Sequence, residues 1–171
     1  MVITAGFTSQ NGAVGIYRII GQNDEASTSL AYSRQFHERL REVYSVSEFW
    51  KNKFRFHSLR QKLGFTASLP EGWNTYGSEA PNDVARSLAA AVLDSLERGS
   101  LPPSALTPSS EGGIAIAFVN GAQRAFLETY NTGEIVAATY SPNSEPAVWE
   151  FQMSENQLQS AIDQIRVHLS A

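Results

Sequence analysis

The chain predicts an α+β fold, a two-layer sandwich in which a four-stranded antiparallel meander is flanked by helices, with an N-terminal hairpin and a helical arm ahead of it. Three observations carry this reading. Residues 81–98 and 154–169 place apolar side chains at helical spacing. Residues 114–152 change to a period of two, interrupted by Asn-Gly and Asn-Thr-Gly turns. The order is therefore helix, four strands, helix, which is that of a sandwich of this class; it does not say which face of the sheet the helices take.

The elements follow in order. Val2 to Thr8 and Ala13 to Ile20 are β-rich and meet at Asn11-Gly12, a pair suited to a tight hairpin turn. Ser27 to Tyr44 carries Leu30, Phe36, Leu40 and Val43 at helical spacing with charges between them. A second helix is expected to start at Ser45, because Ser45 and Glu48 stand at capping-box spacing. Phe49, Lys53, Phe56, Arg60 and Leu63 run down adjoining faces of it until Gly64.

Pro81 suits a first helical turn, where its missing N–H costs nothing. The helix from about Pro81 to Arg98 has Val84, Leu88, Ala91, Val92 and Leu96 on its apolar face, Asp83 and Arg98 complementing its dipole, and Gly99 ending it. Residues 99–113, rich in Ser, Pro and Gly, read as a loop. Ile114 to Val119, Arg124 to Tyr130, Glu134 to Tyr140 and Ala147 to Gln152 are the four strands, the last with Trp149 and Phe151 inward and Glu150 outward. Ser154 and Gln157 mark the start of the final helix, whose face is Leu158, Ile162, Ile165 and Leu169. The chain divides into residues 1–65, hairpin and basic-aromatic arm, and residues 66–171, the sandwich core.

Composition narrows the chemistry. With 171 residues, 42 % of them apolar, the chain can bury a core without a covalent staple, and it has no cysteine to make one. Disulfides, thiolate metal sites and cysteine catalysis are excluded together. The N-terminal residues lack the basic start and apolar run of a signal peptide, and no stretch approaches the ~20 apolar residues of a membrane span, so a cytoplasmic protein is expected. The net charge of −4 is unevenly laid out: residues 34–62 hold eight of the 13 Lys and Arg against three acids, a local balance of +5, while the remainder has five bases against 14 acids, −9. Either a basic patch for an acidic partner or a basic helical layer on an acidic body produces that asymmetry.

The run Leu69-Pro70-Glu71-Gly72-Trp73-Asn74-Thr75-Tyr76-Gly77 with Ala80-Pro81, a helix, Pro108 and Gly112-Gly113 before a strand resembles a broad group of uncharacterised small bacterial and phage proteins sharing an L-P-x-x-W-[DN]-G-x-x-A-x-P motif followed by a helix and a β-meander. The resemblance covers about residues 69 to 140. Here Thr75 stands where the group has Gly. It implies a neighbourhood of toxin–antitoxin, defence or mobile-element genes rather than a reaction.

Few residues suggest chemistry. Trp73 and Tyr76 are a candidate aromatic platform for a base, a sugar or a proline, or else anchors that bury the turn. The strongest lead is Phe49-Trp50-Lys51-Asn52-Lys53-Phe54-Arg55-Phe56-His57, where cations alternate with aromatics. Helical spacing makes some of those aromatics core, and the sequence pI of about 5.4 weighs against a dedicated nucleic-acid binder. His37, His57 and His168 have no ligand spacing, and no metal or cofactor is expected. Glu128 and Glu150 are the one carboxylate pair worth weighing for a hydrolase, or else the polar alternation of half-buried strands with Arg124 as cross-strand partner. No nucleophile elbow, Walker loop or dinucleotide fingerprint occurs.

The expectation is a non-enzymatic protein-interaction module, of antitoxin, immunity or anti-defence type, that uses Trp50, Lys51, Lys53, Arg55 and His57 against a partner protein with an acidic surface. The alternative is a single-stranded nucleic-acid binder using the same arm. No membrane partner is expected.

Overall fold

The computed structural model describes residues 25–142 and 144–171. The N-terminal hairpin expected over residues 2–20 lies outside them. The chain divides into two compact units, residues 1–47 and 48–171. The described part of the first is helical; the second holds the sandwich.

Helix α1 runs over Glu25–Phe65 without interruption and ends in a 3-10 turn at Thr66–Ser68. The expected break at Ser45 is absent. A Ser-x-x-Glu signal caps a helix only where the chain enters one from an extended segment. Between Glu25 and Leu63 there is neither Gly nor Pro to stop propagation, so Glu48 serves instead as an (i, i+3) partner of Lys51, 2.7 Å away. The unit boundary falls inside this helix, at 47/48, and Phe56, Leu59 and Leu63 belong to the apolar core of the larger unit.

Helix α2 covers Asp83–Arg98. It begins two residues beyond Pro81 because Asn82 is the N-cap, its side chain accepting a hydrogen bond from the Ala85 N–H at 3.0 Å. Five antiparallel strands follow in simple meander order: β1 Ala105–Ser109, β2 Gly113–Asn120, β3 Gln123–Tyr130, β4 Ile135–Tyr140 and β5 Ala147–Phe151. The fold is α+β as expected, with one strand more than the meander of four. The addition, β1, lies in the stretch read as a loop. Pro108 and the flanking Ser and Pro residues hide it, yet a proline is tolerated on an edge strand, and β1 is an edge. Gly113 opens β2 for a steric reason: a Cβ there would stand 2.2 Å from the Thr129 carbonyl oxygen of β3.

Helix α3, Glu155–Leu169, starts at Ser154, whose hydroxyl accepts from the Gln157 N–H at 3.4 Å. The reciprocal half of the box is displaced: Gln157 accepts from the backbone N–H of Gln152, two residues before the cap.

Alternate strand residues decide the layers. Leu106, Ile114, Ile116, Phe118, Ala125, Leu127, Thr129, Ile135, Ala137 and Phe151 are buried and fall on one face by register. Ala85, Ala89, Val92 and Leu96 of α2 and Leu158, Ala161, Ile162 and Ile165 of α3 are buried against that face, so both helices cover the same side of the sheet. Thr129, fully buried, donates its hydroxyl to the Ala85 carbonyl at 3.0 Å, tying the start of α2 to the middle strand. The opposite face of the sheet has no helix on it among the described residues.

Candidate functional site

The outer surface of α1 between Glu48 and Lys62 brings together most of the sequence-predicted residues. At about 100° per residue, Phe56, Leu59 and Leu63 share the inner side and are buried. Trp50, Phe54 and His57 fall on the outer side, and Lys51, Arg55 and Lys62 on one flank. Phe49 lies near the other flank with Lys53 and Arg60. Exposure follows the wheel at Trp50, 55 % exposed, and Phe54, 69 %, against Phe56 at 1 %; Phe49, seven residues before Phe56 and on its side of the helix, is nonetheless 54 % exposed.

The exposed rings touch in sequence. Phe49 and Trp50 meet edge to face with centroids 5.7 Å apart, and Trp50 and Phe54 at 6.2 Å in a tilted pair. The Lys53 ammonium stands 5.8 Å from the Phe49 centroid. Lys53 also donates to Glu97 of α2 at 2.9 Å, while Arg60 reaches Asp94 at 2.7 Å and Glu97 at 2.6 Å. Hydrogen bonds from Lys53 and then Arg60 hold the Glu97 carboxyl below its ordinary range, and the bond to Asp94 raises the Arg60 guanidinium. Lys53 and Arg60 therefore anchor the helix to α2. Lys51, Arg55 and His57 are exposed on α1, Lys51 in its bond with Glu48. The cations that alternate along the sequence thus separate onto two flanks of the helix.

The turn 69–81 is built around Asn74. Its Oδ1 accepts from the N–H groups of Tyr76 at 3.1 Å and Ser78 at 3.0 Å, and its Nδ2 donates to the Ser78 hydroxyl at 2.8 Å. Gly72 and Gly77 supply the positive φ the turn requires. Trp73 and Tyr76 part company: Trp73 is half-buried, with an indole N–H that has no partner among the described residues, and Tyr76 is 90 % exposed.

The turn docks through a contact that sequence reasoning missed. Asn131 in the β3–β4 turn accepts from the Asn82 N–H at 2.8 Å, donates to the Ala80 carbonyl at 3.0 Å, and accepts the Asn82 amide on its own carbonyl at 3.1 Å. Asn131 read as turn chemistry alone. Nothing in its spacing pointed 49 residues back.

Glu128 and Glu150 share the open face of the sheet and one row of it, Glu128 opposite Val136 and Val136 opposite Glu150. Arg124 is not their cross-strand partner: it stands opposite Val119 and Tyr140. The register, with Arg124 four residues before Glu128 on β3, keeps them apart along the strand. Tyr130, next along that face, is pushed up to about 12, first by burial and then by the Glu128 carboxylate, with Glu111 and Glu134 adding to it.

A shallow cleft of about 870 Å³ runs between β5 and α3, with Trp149, Asn156, Gln159, Asp163 and His168 along its walls. The His168 ring nitrogen sits 3.1 Å from the Tyr140 carbonyl. Side chain of His37 lies outside the described residues. Among the described residues no cluster of His, Asp and Glu could hold a metal ion, and no helix is long and apolar enough to cross a membrane. No family model, curated protein or solved structure matches the chain.

Proposed function

We propose that the protein is a non-enzymatic binding module that docks the outer face of α1 into an apolar groove with an acidic rim on a partner protein. The observation that carries this is the chain of touching rings, Phe49, Trp50 and Phe54, each more than half exposed, with Trp50 and Phe54 on the side of the helix opposite its core residues. Three adjacent exposed aromatics lie unburied against the rest of the described fold, and Trp with neighbouring Arg is the composition of an interface hot spot. Trp50 and Phe54 enter the groove. Lys51, Arg55 and His57 face its rim and steer the encounter. Lys53 acts indirectly, holding the helix to Glu97.

The turn at 69–81, which resembles that of small bacterial and phage proteins, makes an antitoxin, immunity or anti-defence role the concrete version of this reading. Single-stranded nucleic acid is the competing occupant, since bases stack on exposed rings and phosphates pair with Lys and Arg. One feature favours a protein: Lys53 and Arg60 are already engaged by Glu97 and Asp94, so fewer cations are left to pair with phosphates.

A photo-crosslinking residue at position 54, with one at the exposed Val167 of α3 as control, tests this in cells that encode the protein. A single protein adduct at 54, absent at 167, resistant to nuclease and mapped to an Asp- and Glu-rich segment supports the proposal. A nuclease-sensitive adduct, or the same adducts at both positions, overturns it.

A further inference from the structure

The face of the sheet that carries no helix among the described residues has a pattern that matches itself. Register places Ala105, Ala117, Phe126, Ala138 and Val148 side by side in one row across all five strands. Every member is apolar, Phe126 at the centre is 39 % exposed, and Val148 at the edge is exposed. On the central strand β3 the row is bracketed by opposite charges on the same face, Arg124 two residues before Phe126 and Glu128 two residues after. The rows on either side repeat the bracket in apolar terms: Val119 and Tyr140 flank Arg124, and Ala115 and Val136 flank Glu128.

We infer that this face is the self-complementary interface of a symmetric homodimer, the occupant being a second copy of the chain. Place a two-fold axis along the apolar row. The partner's strands then run in reverse, each residue of the row meets its counterpart, and the row before it meets the row after it. Arg124 faces Glu128 of the second copy, twice over. Tyr140 meets Val136, and Val119 meets Ala115, also twice. The two Phe126 rings stack with an offset across the axis, with room left by Ala117 and Ala138 on either side. The alternative axis, along the strands, would set Arg124 on Arg124 and Glu128 on Glu128, so the charges select one orientation.

Geometry permits the match where it is needed. Two face-packed sheets cross at about 30°, which at the ~7 Å between Phe126 and either charge displaces the partners by roughly 3–4 Å, within reach of an Arg side chain. The charges sit on the middle strand, where the crossing costs least register. Five strands about 4.8 Å apart and some 20 Å long present on the order of 500 Å² per copy, at the lower limit for a specific interface. The dimer is therefore reversible and depends on concentration. Nucleic acid is disfavoured here, because Glu128 and Glu150 lie on the same face.

Sedimentation of the full chain over a concentration series tests the inference, with circular dichroism to verify that each variant is folded. Wild type should dimerise. Phe126→Glu, Arg124→Glu and Glu128→Arg should each weaken the dimer by at least about tenfold, since every change is made twice in the interface. The charge-swapped double variant, Arg124→Glu with Glu128→Arg, should restore it, and mixing the two single charge variants should give a heterodimer that neither forms alone. Phe54→Ser, on α1, should leave it unchanged. A wild type that stays monomeric, single variants that dimerise like wild type, or a swap that fails to restore association would each overturn the inference.

Discussion

The inner and outer faces of α1 draw on aromatics two residues apart and differ in burial. Phe56 and Phe54 are both aromatic, both flanked by Arg55, and two residues apart; one is 1 % exposed and the other 69 %. A helix turns about 200° over two residues, so an aromatic pair at that spacing cannot share a face. The inner set Phe56, Leu59 and Leu63 joins the cluster that includes Val92, Leu96 and Ile116, and so belongs to stability. The outer pair Trp50 and Phe54 touch each other and stand exposed. Composition treats the segment as one basic-aromatic run; the helix makes it two surfaces with different work.

Phe56→Ala should cost about 3–5 kcal/mol in denaturant unfolding, the range for removing a buried aromatic, and a loss under about 1 kcal/mol would mean that α1 is not part of the core. Asn131→Ala, which deletes the side-chain contacts to the Asn82 N–H and Ala80 carbonyl, should cost about 1–2 kcal/mol and leave binding through α1 intact. Arg60→Ala removes exposed ion pairs with Asp94 and Glu97; the expected loss is below about 1 kcal/mol and shrinks with added salt. The pH signature of that contact has a definite sign. The Glu97 carboxyl is held below its ordinary value by Lys53 and Arg60, so its contribution is present at neutral pH and disappears as acid protonates it. In Arg60→Ala the acid limb of the stability curve should be shallower.

Tyr130 sharpens the alkaline side. Its phenol is pushed up to about 12, chiefly by burial, so between the ordinary tyrosine range and that value the unfolded chain loses a proton that the folded one keeps. Stability should fall as pH rises through that window. An absorbance titration should show a late phenolate step that Tyr130→Phe removes; six tyrosines that all ionise near pH 10 would contradict it.

Much of the fold was legible because it rests on short-range patterns. Period-two alternation marked β2 to β5, and Ser154 and the Leu158 to Leu169 stripe marked α3. Where the reading failed, a local signal was overruled by its surroundings. Ser45 and Glu48 have capping spacing, but capping needs an extended approach, and α1 is already helical there. Pro108 reads as a strand breaker, yet β1 is an edge, where a missing N–H is harmless. In the aromatic run, helical spacing separates Phe56 from Phe54, but which of the two is core depends on where α2 lies. The ion pair of Lys53 with Glu97, 44 residues on, is tertiary, and no local pattern around Lys53 announces it. The alternation of Arg124, Phe126 and Glu128 is local to β3, but the apolar row through its centre exists only in the register across five strands.

The most direct test of the two-surface account is denaturant unfolding of Trp50→Ser/Phe54→Ser beside wild type. Exposed side chains away from core contacts change stability by about half a kcal/mol or less each, so the midpoint should stay close to that of wild type. A loss of 3 kcal/mol or more, on the order of that expected for Phe56→Ala, would place the outer aromatics in the fold and leave no free face on α1 for a partner.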